Sequence, residues 1–169
     1  QGRVFNVRNP PPPEKNTLVA LRLYDDEGEP VEGKMDWIIG GETGNDQPWS
    51  AGIFFLGPPL PLDGVLYGLG ETPNDVRLFA FDAGSAQLLW DTQVAITGVG
   101  SFNDQSIRQL AGGTPSAVDN LLICPTSTGA VVAVDMISRA PLWGFQYRPM
   151  EVTRGFTMQQ VNLWNPGDR

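Results

Sequence analysis

An all-β chain of repeated blades is the fold class that the sequence predicts, and three observations predict it. The first is internal repetition. Leu78-Phe79-Ala80-Phe81-Asp82 is answered by Val131-Val132-Ala133-Val134-Asp135, and seven residues later each copy carries a tryptophan. Asp82 and Asp135 thus stand 53 residues apart, as do Trp90 and Trp143. The second is that each copy divides into short apolar runs bounded by Gly, Asn, Asp and Ser, as strands joined by tight turns do. The third is that Leu121 to Cys124 and Val131 to Val134 are apolar at successive positions, which suits a sheet covered on both faces. Repeats of this kind build β-propellers. The expected architecture is an incomplete β-propeller of about two to three four-stranded blades. Closed rings take about four to eight blades, so the chain is expected to be a segment of a longer propeller protein. The start at Gln1 and the turn-like Asn165-Pro166-Gly167-Asp168-Arg169 agree with that expectation.

The elements follow in order. Residues 1–16 are expected to form an N-terminal extension, with Pro10 to Pro13 as a polyproline II spacer, because four consecutive prolines fix φ and remove four donors. Residues 17–56 are expected to hold a degenerate or partial blade and a loop. In it Thr17 to Tyr24 reads as a strand, Asp25 to Pro30 as a polar turn around Gly28, and Val31 to Ile39 as a returning strand with Trp37. Ala20-Leu21-Arg22 stands where Ala80-Phe81-Asp82 stands later, with arginine in place of the aspartate. Gly40 to Pro48 is loop-like, and Ile53 to Leu56 is a short apolar segment.

Residues 57–100 are expected to form one blade, with strands in Val65 to Leu69, Val76 to Phe81 and Gln87 to Trp90. Residues 101–150 are expected to form another with its preceding loop, with strands in Leu121 to Cys124, Val131 to Val134 and Leu142 to Phe145. Ser101 to Ala111 reads as a loop with a short helix, from the spacing of Ile107, Leu110 and Ala111. Asp63 and Asp82 are 19 positions apart but Asp119 and Asp135 only 16, and the difference falls at the Glu71 to Asp75 turn, where insertions are tolerated. Residues 151–169 are expected to be a connection towards a further blade.

Charge and composition narrow the function. The net charge is −8 and only Lys15 and Lys34 are lysines, so there is no basic stripe to neutralise phosphates, and neither nucleic acid nor an anionic membrane is an expected partner. No apolar run approaches the roughly 20 residues that a membrane-spanning helix needs. The 41% hydrophobic content belongs to a packed chain. Cys124 is the only cysteine, which excludes an internal disulfide and leaves the redox compartment open.

The full pattern, Leu/Val-x-Ala-Phe/Val-Asp, seven residues, then Trp, preceded by Pro-x-x-x-Asp-Gly/Asn at Pro59 to Gly64 and Pro115 to Asn120, resembles the pyrroloquinoline-quinone-like β-propeller repeat family. That family includes quinoprotein dehydrogenases, and also non-catalytic propellers such as an outer-membrane assembly lipoprotein and large bacterial envelope proteins. Gly57 to Leu62 and Ile123 to Thr126 look most like the last group. The resemblance covers 57–145 well and 17–39 loosely. It implies that Asp82 and Asp135 belong to hairpin turns and that Trp90 and Trp143 dock against the adjacent blade. It also implies a periplasmic or extracellular place in the cell envelope, with other proteins as partners, either remaining blades or other subunits of a larger assembly.

The chemistry is weighed beside this. Histidine is absent, which removes Ser/His and Cys/His nucleophile systems and histidine metal sites from these residues. A quinoprotein site of the family calls for a cysteine pair and a catalytic aspartate with calcium ligands, and one cysteine cannot make the pair. No catalytic, cofactor-binding or metal-binding residues are therefore assigned, and no cofactor is expected. Asp25 to Glu29 is carboxylate-rich like a calcium loop, but without EF-hand spacing it reads as a solvated hairpin turn, as do Asn74-Asp75 and Asn103-Asp104. Cys124, inside an apolar strand, reads as a buried inert thiol. Among the tryptophans, Trp49 and Trp164 lie outside the repeat and could line a sugar-binding surface. The expected function is a non-catalytic scaffold or protein-interaction segment. The alternatives are a fragment of a quinone-dependent dehydrogenase with its site elsewhere, and a carbohydrate-binding propeller.

Overall fold

The computed structural model describes residues 2–8, 16–96 and 113–147. The polyproline run, the Ser101 to Ala111 segment, Trp164 and the whole of 151–169 lie outside the described residues.

Three antiparallel sheets follow one another along the chain. The first contains β1 (Arg3–Arg8), β2 (Thr17–Tyr24), β3 (Pro30–Gly40) and the two-residue β4 (Gly44–Asn45) in that order. The second contains β7 (Val65–Glu71), β8 (Asp75–Asp82) and β9 (Leu88–Ile96), and the outer edge of β7 is shared by β5 (Phe54–Phe55) and β6 (Leu60–Leu62). The third runs β10 (Ser116–Val118), β11 (Leu121–Pro125), β12 (Ala130–Asp135), β13 (Ala140–Gln146). Each is a meander of neighbours in sequence, which short turns permit. These are blades of an incomplete β-propeller, and the strands expected in 57–145 are all present.

Two expectations at the N-terminal side are corrected. Arg3–Arg8 is not part of an extension but the first strand of a blade, paired with β2 from Arg3 with Arg22 to Arg8 with Thr17. Its apolar Phe5 and Val7 alternate with exposed Val4, Asn6 and Arg8, which is a strand signal too short to stand out beside a proline run. The first unit is also not degenerate. Phe54–Phe55, placed with that unit on sequence, instead adds to β7 of the second sheet.

The registers show how closely the three blades repeat. Phe5, Ala20 and Trp37 lie side by side across β1, β2 and β3. Tyr67, Ala80 and Trp90 do so across β7, β8 and β9, and Ile123, Ala133 and Trp143 across β11, β12 and β13. Immediately beyond this row every blade has a β-bulge in its last strand, which passes over Asp36, Leu89 and Leu142 respectively. The next row is then Val4, Leu21 and Met35 in the first blade, Leu66, Phe81 and Leu88 in the second, and Leu122, Val134 and Pro141 in the third. Because neighbouring residues of a strand point to opposite faces, the first row belongs to one face of each blade and the second row to the other.

Packing uses the two faces in a fixed sense. One core joins the tryptophan face of the first blade (Leu18, Ala20, Trp37, Ile39) to the opposite face of the second (Leu66, Phe79, Phe81). A second core joins the tryptophan face of the second blade (Tyr67, Leu69, Leu78, Ala80) to the opposite face of the third (Leu122, Cys124, Val132, Val134). The middle blade is thus covered on both sides, which accounts for the successive buried residues of β7 and β8. In β11 only alternate residues are buried, because one face alone is covered.

Candidate interaction surface

Every blade of this chain offers its tryptophan face to the blade that follows. Between the first and second blades, Trp37 is 4% exposed, stacks on Phe5 at 5.8 Å and meets the edge of Phe81 at 6.3 Å. Its indole Nε1 donates to the Ala83 carbonyl at 3.2 Å, which anchors it to the turn of the second blade. Asn16, itself buried, seals the same junction by donating Nδ2 to the Phe55 carbonyl and accepting the Phe55 N–H on Oδ1, both at 2.7 Å. Between the second and third blades Trp90 packs on Tyr67 at 6.0 Å and, with Met136, borders the shared core. Ser127 Oγ donates to Glu71 Oε1 at 2.5 Å across this junction, and Thr114 Oγ1 donates to the Pro58 carbonyl at 2.9 Å.

The third tryptophan face is open. Trp143 is 43% and Phe145 64% exposed, with half-buried Ile123 and Val131 beside them. This corrects the expectation that Trp143 is packed as Trp90 is: the residue has the docking position, but no blade of this chain covers it. At the other end Val4, Leu23 and Met35 are exposed on the first blade, in the row that receives a tryptophan face in the second and third blades.

The turns that receive the tryptophans are built alike. Asp82 Oδ1 accepts the N–H of Gly84 at 3.0 Å and of Ser85 at 2.7 Å, and also the Ser85 hydroxyl. Asp135 Oδ1 accepts the N–H of Ile137 at 3.1 Å and of Ser138 at 2.6 Å. Donation by the Ser85 side chain and then its backbone holds Asp82 below its ordinary carboxylate pKa, and donation by Ser138 does the same for Asp135. The last turn residue is left-handed in both, Ala86 at φ 58° and Arg139 at φ 59°. Met136-Ile137-Ser138 therefore makes the same turn as Ala83-Gly84-Ser85 despite its bulk. In the first blade, where Arg22 replaces the aspartate, the side chain runs to Asp36 on the bulge at 2.7 Å, and Arg3 reaches the other oxygen at 2.5 Å. Arg3, more than any other group, depresses the pKa of Asp36.

The remaining candidates have structural partners. Asp25 Oδ1 accepts the N–H groups of Glu27 and Glu29 at 3.0 and 2.8 Å, so this carboxylate shapes its own turn. Asp75 and Asp91 both bind Arg77, at 2.8 and 2.6 Å, and Thr72 donates to Asp75. Among the described residues no three His, Cys, Asp or Glu side chains are grouped as metal ligands. Cys124 is fully buried, which pushes its thiol up to about 12. Trp49 lies on Phe79 and Phe81 at 5.5 and 5.6 Å and donates Nε1 to the Ala86 carbonyl at 3.1 Å, so its ring closes the junction of the first two blades. That packing role was not legible from a position outside the repeat. A cavity of about 230 Å³ near Asn6, Asn16 and Phe55 is lined by no ionisable side chain. Among the described residues no helix is long and apolar enough to cross a membrane, which says nothing of β-barrels.

No family model matches the chain, and no curated protein matches it. Among solved structures it is similar to BamB from Moraxella catarrhalis, at 16% identity and a TM-score of 0.43, covering 77% of this chain and 30% of that one. It is also similar to a europium-containing methanol dehydrogenase, at 15% identity and a TM-score of 0.47, covering 83% of this chain and 22% of that one. Both are propellers of the pyrroloquinoline-quinone-like kind whose repeat the sequence resembles. The chain spans less than a third of the length of either.

Proposed function

We propose that this chain is a non-catalytic propeller segment that acts by holding other protein, as a scaffold in a bacterial cell-envelope assembly. One observation carries the reading: a tryptophan face of the type that is twice buried against a blade inside the chain is left open at Trp143 and Phe145. Contiguous exposed apolar surface on a folded domain marks a place where protein binds, since its burial is worth roughly 25 cal/mol per Å². The charged side chains support the same reading, because Asp36, Asp75, Asp82, Asp91 and Asp135 are engaged by arginines or by their own turns. The envelope location is supported by the family that the repeat resembles.

The competing role, a fragment of a quinone-dependent dehydrogenase, is tested by titrating the full chain with pyrroloquinoline quinone and calcium. Calorimetry and tryptophan fluorescence are expected to give no saturable signal. Stoichiometric binding would overturn the scaffold reading. Fractionation of the source cells with an antibody to the chain tests the location, and recovery in the cytosol alone would contradict it.

A further inference from the structure

The two open ends of the chain are the two halves of one kind of interface. The half at the third blade is the row Ile123, Ala133, Trp143 with its neighbours Val131 and Phe145. The half at the first blade is the row Val4, Leu21, Met35, with Leu23 in the place that Ala83 and Met136 hold in the other blades. Inside the chain these rows meet twice. Phe5, Ala20 and Trp37 pack on Leu66, Phe81 and Leu88, and Tyr67, Ala80 and Trp90 pack on the side of Leu122 and Val134. The exposures match that assignment, with Trp143 at 43% and Phe145 at 64% at one end, and Val4 at 44% and Met35 at 51% at the other.

We infer that a second copy of this chain covers the open tryptophan face, its first blade seated on the third blade of its partner. The interface is head to tail, because the donor and acceptor rows are different surfaces of one chain. Trp143 takes the place of Trp37 and Trp90, and Leu23 of the partner takes the place of Ala83 beside the indole. Two copies that join at both ends close a ring, and copies that join at one end only extend into a longer array. The inference uses the propeller reading for its fold and is independent of whether the chain is catalytic.

Sedimentation velocity of the full chain tests it, with Trp143→Glu to spoil the donor row and Met35→Glu to spoil the acceptor row. The unaltered chain is expected to associate at micromolar concentration. Each variant alone is expected to associate about ten-fold more weakly or worse, because a carboxylate would be buried unpaired. An equimolar mixture of the two variants keeps one intact donor row and one intact acceptor row, and is expected to form a one-to-one complex and nothing larger. Circular dichroism verifies the strands of each variant, and Phe145→Glu with Val4→Glu forms a second pair if either of the first fails to fold. A chain that stays monomeric overturns the inference and leaves the face to a different protein. Association that neither variant weakens, or a mixture that forms no complex, overturns it as well. Quinone binding would sink the proposed function and leave this result unaffected.

Discussion

Trp37, Trp90 and Trp143 occupy one position of the repeat and have three different degrees of cover, so the same truncation has three different costs. Trp37→Ala removes a buried indole and its bond to the Ala83 carbonyl, and is expected to cost on the order of 3 to 5 kcal/mol. Trp90→Ala is expected to cost less, because that ring is half-buried. Trp143→Ala is expected to change the stability of the dilute, monomeric chain by less than about 0.5 kcal/mol. Denaturant unfolding of the three variants checks the order, and an equal loss in all three would contradict the assigned faces. Cys124 gives a second residue-scale outcome. With its thiol pushed up to about 12, it is protonated at about pH 8. A thiol reagent is expected to label it only after unfolding; rapid labelling of the native chain would place it outside the core.

At the scale of the element, the Asp-to-Trp hairpin is the unit that recurs. Arg139 is exposed and left-handed, a conformation that glycine adopts without the Cβ penalty. Arg139→Gly is therefore expected to stabilise the chain by up to about 1 kcal/mol, read as a raised denaturation midpoint, whereas a loss would mean that the side chain has a packing role. Asp36, Asp82 and Asp135 all have folded pKa values lowered from 3.8. Their contribution is complete above the unfolded carboxylate pKa, near about 4, and is lost as the pH falls through the lower folded values. Acid unfolding is thus expected below about pH 4, and Asp36→Asn is expected to flatten that limb of the stability curve while lowering stability at neutral pH. An unchanged pH profile would show that the Arg3 and Arg22 contacts contribute nothing.

Much of this element was legible from sequence, since Asp82, Asp135, Trp90 and Trp143 carry the repeat openly. The first blade was legible only in part. Its hairpin is closed by Asp25 and by the Arg22 to Asp36 pair rather than by a repeat aspartate, and its first strand is six residues long. The bulges at Asp36, Leu89 and Leu142 share no residue type. They are a property of register, visible only once the strands are paired.

For the whole molecule, the account makes the chain a directional stack in which each blade buries its tryptophan against the next. Stability in such an array is a sum of blades and of nearest-neighbour junctions, so an open junction at either end leaves surface seeking a partner. The candidate surface could be anticipated in kind, because a few blades cannot close a ring. Its composition could not, since exposure of Trp143 rather than Trp90 depends on which junction lacks a neighbour. Acrylamide quenching of individual tryptophans tests this central claim most directly, with each indole assigned by its Trp→Phe variant. The stack predicts that Trp37 is shielded at every concentration, and that Trp143 is quenched in the dilute chain and becomes shielded as copies associate. A Trp143 that is shielded in the monomer, or a Trp37 that is quenched there, would contradict it.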